Sequence, residues 1–131
     1  MAEILLRHPR FPLAQVDAVV TDMETHYRRA GVGLSGVWQV RLANALATGH
    51  PQEAAAFRDE REAAGTDEYS HCPACVRSED ADLEWELGNH ERAVALLDEI
   101  VEGRMECGDE PEQSMGRGLL RLLRAGRPDD A

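Results

Sequence analysis

Apolar residues recur at helical spacing along most of the chain, and no segment shows the alternation of a half-buried strand. Val16, Val19, Val20, Met23 and Tyr27 form one stripe over residues 12–30, while Asp17, Thr21, Asp22, Glu24 and Arg28 fill the other side. Pro12 suits the first turn, Arg28 and Arg29 complement the dipole, and Gly31 ends the helix. Ser35 is read as the N-cap of a second helix over 35–48, packing through Trp38, Leu42, Ala45 and Leu46. Pro51 opens a third over 52–64, with a thin apolar face of Ala54, Ala55, Phe57 and Ala64. Ser78 is read as the cap of a fourth over 78–87. The fifth, 90–102, has the strongest core face: Ala93, Val94, Leu96, Leu97, Ile100 and Val101. Pro111 opens a sixth, with Leu119, Leu120, Leu122 and Leu123 on one side and Arg117, Arg121 and Arg124 on the other.

The breaks between these helices repeat. Gly49, Gly88 and Gly126 each precede an alanine five positions on (Ala54, Ala93 and Ala131), and the glycines are 39 and 38 residues apart. A fixed period of this size between helices is the mark of a helical solenoid. The expected fold is all-α, a single domain over 1–131 of about six helices and part of a seventh. Its parts are an N-terminal helix 12–30, antiparallel helix pairs 35–64 and 78–103, and an incomplete final unit 111–131.

The turn glycines, their alanines and Trp38, at an aromatic position of a unit's first helix, resemble the tetratricopeptide-repeat family. Arg58 and Arg61 depart from that pattern, standing where the family has an aromatic and an alanine. The period exceeds the family's roughly 34 residues, the surplus lying largely in the loop after the third helix. More closely, the chain resembles tetratricopeptide proteins of high-GC bacteria that carry a Cys-x-x-Cys loop. The matching residues are Phe11-Pro12-Leu13, Tyr27-Arg28-Arg29-Ala30-Gly31, Cys72-Pro73-Ala74-Cys75, Cys107 near Pro111, and Leu122-Leu123-Arg124. Those relatives usually carry Asp in place of His71 and continue beyond residue 131. The resemblance implies a scaffold with protein partners and names no reaction.

Charge narrows the partners. Asp and Glu number 25 against 14 basic residues, all of them Arg. Residues 53–112 alone hold 19 carboxylates and five Arg. Such a surface repels phosphate backbones and anionic lipids, so neither nucleic acid nor membrane is an expected partner. No apolar run approaches the roughly 18 residues of a membrane span. Ile4-Leu5-Leu6 is too short for a signal peptide, so a cytoplasmic protein is expected.

The three cysteines supply the clearest chemistry. Cys72 and Cys75 lie in a polar interruption read as residues 65–77, and Cys107 follows the fifth helix. A helical hairpin returns its end beside its beginning, which carries Cys107 back towards the Cys-x-x-Cys loop. Thiolates suit tetrahedral Zn(II), and His71 is the nearest candidate for a fourth ligand; Glu106, Asp109, water or a residue beyond 131 are alternatives. Behind the metal reading come small packing groups and, third, a redox pair lacking the strand-then-helix setting of dithiol enzymes. His8, His26, His50 and His90 are scattered, and no nucleophile–base order, phosphate loop or zinc-protease motif occurs, so an enzyme is not expected.

Mapping by the turn glycines sets Gln39, Asp82, Trp85 and Gln113 towards the concave groove of a repeat protein. The sixth helix has no following partner, so the expectation is self-association through Leu120 and Leu123, as a homodimer, or cover by a segment beyond residue 131. The sequence thus favours an interaction scaffold for a protein or peptide, stiffened by structural Zn(II). The alternative is a thiol-based redox or metal sensor using Cys72, Cys75 and Cys107.

Overall fold

The computed structural model describes residues 13–104, 119–123 and 126. Among them every regular element is a helix: α1 (Leu13–Ala30), α2 (Ser35–Ala47), α3 (Pro51–Ala64), α4 (Pro73–Glu86) and α5 (His90–Val101), with residues 119–123 also helical. The all-α expectation holds. Among the described residues no helix is long and apolar enough to cross a membrane. The chain divides into two compact units, Met1–His71 and Cys72–Ala131.

In the first unit the α1 stripe is buried as its period requires. Val16 and Val20 pack with Val37 and Val40 of α2, and Val19, Met23, Tyr27 and Leu34 close around them. Arg41 of α2 reaches Asp17 at 3.4 Å and Glu24 at 3.8 Å on α1. The α2–α3 hairpin is fixed by Ala54, which is fully buried, and by Trp38 stacked on Phe57 with ring centroids 6.1 Å apart.

The turn of that hairpin is closed by backbone bonds. Gly49 N–H donates to Leu46 C=O and His50 N–H to Ala45 C=O, the paired bonds of a Schellman cap, with Gly49 at φ 76°. In the second unit Gly88 at φ 87° repeats both bonds, from Gly88 to Trp85 and from Asn89 to Glu84. The next helical bond repeats too: Ala54 N–H to His50 C=O, and Ala93 N–H to Asn89 C=O. The same paired bonds also close α1 at Gly31 and α5 at Gly103.

Two helix starts differ from expectation. The N-cap of α2 is Leu34, without a side-chain capping bond, and Ser35 is the first helical residue. Just ahead of the cap, Gly33 N–H donates to Asp67 Oδ2 at 2.9 Å. A carboxylate there also complements the positive end of α2. The second difference is α4, which begins at Pro73 rather than Ser78, with Cys72 as its N-cap. Pro73 at the first helical position sacrifices no hydrogen bond. Ser78 then lies inside the helix, 5% exposed.

The interruption between α3 and α4 is correspondingly short, and it is held. Asp67 Oδ1 accepts from Tyr69 N–H at 2.9 Å, Asp67 N–H donates to Ser70 Oγ at 2.9 Å, and the Tyr69 ring meets Tyr27 edge-on at 5.9 Å. This segment lies against the first turn of α2, where a Cβ on Gly36 would sit 2.9 Å from the Tyr69 carbonyl oxygen. Only glycine allows that approach without a backbone shift. Gly36→Ala is therefore expected to cost about 1–3 kcal/mol and to loosen residues 67–70. Urea unfolding and amide exchange measure both; an unchanged midpoint with unchanged protection there would contradict the packing.

In the second unit Ala81 of α4 packs with Leu96 and Leu97 of α5 and with Leu122, Val94 and Val101 lining the cluster. Leu83, Ala93 and Ile100 are buried as well, and Arg77 pairs with Glu99 across the hairpin at 3.2 Å. Arg121 forks onto the Asp82 carboxylate through Nε at 2.9 Å and Nη2 at 2.8 Å, and its Nη1 donates to Ser78 Oγ. This bidentate geometry is the strong form of an arginine–carboxylate pair.

Candidate functional site

The two described cysteines occupy the first turn of α4. Cys72 has extended backbone (φ −61°, ψ 145°) and accepts the first helical bond from Val76 N–H. Three residues later the helix brings Cys75 over the same spot. Cys75 N–H donates to Cys72 Sγ at 3.3 Å, and the two Sγ atoms lie 2.9 Å apart, both partly exposed. An N–H at a helix start has no partner within the helix, so a sulfur acceptor at the N-cap fulfils a general need. The expected Cys-x-x-Cys loop is thus a helix cap, preceded by a loop rather than by a strand.

For a metal the geometry sets definite conditions. Zn–S bonds of about 2.3 Å at tetrahedral angles place two sulfurs about 3.8 Å apart, so the pair would have to open by about 0.9 Å. Nδ1 of His71 is buried, and its ring lies beside Gly36 of the same unit. Cys107, with Glu106 and Asp109, lies outside the described residues. Among the described residues no group of three or more His, Cys, Asp or Glu is gathered to hold a metal ion.

The groove residues have individual fates. Gln39 is 3% exposed, and its Oε1 accepts from Arg61 Nη1 at 2.8 Å. Asp82 is engaged by Arg121. Trp85 is partly exposed and stacks on His90 across the turn, ring centroids 4.0 Å apart. Gln113 lies outside the described residues. Leu120 and Leu123 are each 47% exposed, whereas Leu122 between them is fully buried.

Searches of protein-family models, of curated proteins and of solved structures found no match to this chain.

Three residues gained roles that the sequence reading did not give them. Asp67 holds the α3–α4 connection, Arg61 is 4% exposed against Gln39, and Arg121 binds Asp82. Arg61 had left a sequence signal: it falls on the same helical face as Ala54, Phe57 and Ala64, where a charge calls for a partner.

Proposed function

We propose that the chain is a tetratricopeptide-like helical-repeat scaffold that binds a protein or peptide partner in the cytoplasm and performs no catalysis itself. The repeated cap at Gly49 and Gly88, each followed by a buried alanine, supports this best. The same cap followed by a buried alanine turns both helical hairpins, despite the departures at Arg58 and Arg61. Gly126, at φ 80° with its N–H on Leu123 C=O, repeats the glycine bond of that cap. With a net charge of −11, the preferred partner is basic. Trp85, beside the turn and partly exposed, is the contact to probe. With a photoreactive phenylalanine analogue at Trp85, irradiation in the source cell should label one recurrent protein. The same analogue at exposed Glu91 should not label it, and the purified pair should bind less tightly as salt rises. Equal labelling from both positions would end this reading.

A second reading concerns the metal, and the convergence of Cys72 and Cys75 on one turn supports it. One structural Zn(II) is held by Cys72, Cys75 and Cys107, with His71 the leading fourth ligand. Elemental analysis should then find close to one zinc per purified chain, and a value below about 0.2 would exclude it.

Self-association belongs to the same proposal. Leu120 and Leu123 form the contact of a homodimer, and Leu120→Glu with Leu123→Glu should convert the chain to monomer in sedimentation. If the parent is monomeric at about 100 μM, that contact does not exist.

A further inference from the structure

We propose that Cys72 and Cys75 form a reversible dithiol/disulfide couple that exchanges two electrons with low-molecular-weight disulfides, Cys72 being the attacking thiol. This goes beyond the scaffold reading and does not depend on it.

The geometry already stands close to the product. The sulfurs are 2.9 Å apart, and closing to a bond of about 2.05 Å needs a shift of less than 1 Å. Opening to the separation that zinc requires needs a shift of the same size in the opposite sense, so the pair is equally far from both states. Three features tilt it towards the disulfide. Both donors stand on one helical turn, so no other segment has to move. The two sulfurs face each other directly, with Cys75 Sγ in contact with Cys72 Sγ. Finally, Cys75 N–H points at Cys72 Sγ from 3.3 Å, at the positive end of α4. That N–H steadies the negative charge on Cys72 sulfur both when it attacks and when it leaves. The two cysteines therefore have unequal roles: Cys72 exchanges with the outside and Cys75 resolves.

With glutathione disulfide as co-reactant the step balances. Cys72 thiolate attacks one sulfur of the disulfide; the S–S bond breaks, and a glutathione thiolate leaves and takes up the proton that Cys72 released. Cys75, deprotonated to solvent, attacks the Cys72 sulfur of the mixed disulfide, and a second glutathione thiolate leaves and is protonated. The pair loses two electrons and two protons, and one glutathione disulfide becomes two glutathione molecules. The reverse sequence regenerates the dithiol.

The test uses the full chain and its Cys107→Ser variant, equilibrated in glutathione buffers of graded ratio, acid-quenched and mapped by mass spectrometry. Both should lose two hydrogens per chain along one reversible two-electron curve, with the bond mapped between Cys72 and Cys75. In Cys75→Ser the mixed disulfide should accumulate on Cys72, because nothing resolves it. In Cys72→Ser, Cys75 should acquire glutathione at least tenfold more slowly. A bond mapped to Cys107, no oxidation of Cys107→Ser at any ratio, or equal glutathione uptake by Cys72 and Cys75 would overturn the couple. So would thiols that resist exchange until bound zinc is chelated, which would establish the metal reading instead; the scaffold reading survives either result.

Discussion

Leu83→Ala should lower the stability of the chain by about 2–5 kcal/mol. Leu83 is completely buried on α4, in the unit that also buries Ala81, Ala93, Leu96, Leu97 and Ile100. Truncation removes three carbons from a fully buried site, so the loss of transfer energy is joined by a cavity. With aromatics at only 5% of the chain, few large side chains are available to fill it. Against a typical total stability of about 5–15 kcal/mol, such a loss is visible in equilibrium urea unfolding. Leu83→Met, nearly equal in volume, should cost less than about 1.5 kcal/mol. If alanine and methionine proved equally mild, the site would not be the packed interior described.

Arg61→Met should be the second large effect, with a loss of about 1–3 kcal/mol. Gln39 Oε1 receives its hydrogen bond from Arg61 at a position 3% exposed, so methionine keeps much of the volume while leaving that oxygen without its donor. The ion pair of Arg61 with Glu62 at 2.6 Å matters less, because Glu62 is largely exposed and water replaces its partner. Arg61→Lys should recover only part of the loss, since an ammonium cannot reproduce the guanidinium fork. A double cycle with Gln39→Leu separates the two contributions. If the loss in the double variant Arg61→Met/Gln39→Leu equalled the sum of the two single losses, the Gln39 bond would carry no energy of its own.

The helices were legible because burial follows a period that the side chains spell out. Val16 and Val20 are buried and Asp17 and Thr21 exposed, as the stripe required. The turns were legible because glycine alone readily takes the positive φ found at Gly49 and Gly88. The start of α4 was not. Ser78-Glu79-Asp80 has the composition of a cap, and Pro73 has that of a loop, but a proline is tolerated at a first helical position and a thiol served as the cap. Ser78 was instead drawn inward by Arg121. Gln39 failed for a related reason. Register assigned it to a groove, but a polar residue paired with a buried arginine from the next helix is decided by tertiary contact, which local pattern does not encode. The cysteine pair was legible as chemistry, and its 2.9 Å approach was not, because that distance follows from the helix starting five residues early.

The caps at Gly49 and Gly88 also bear on how fast the chain folds. Each joins two helices through a few residues, so most partners within a hairpin are near neighbours in sequence, and closing such a short loop forfeits little chain entropy. Proteins dominated by such local contacts reach their folded state within microseconds to milliseconds. Each hairpin therefore forms without waiting for distant segments, and the connection pinned by Asp67 to Gly33, 34 residues away, is the slower closure within the first unit.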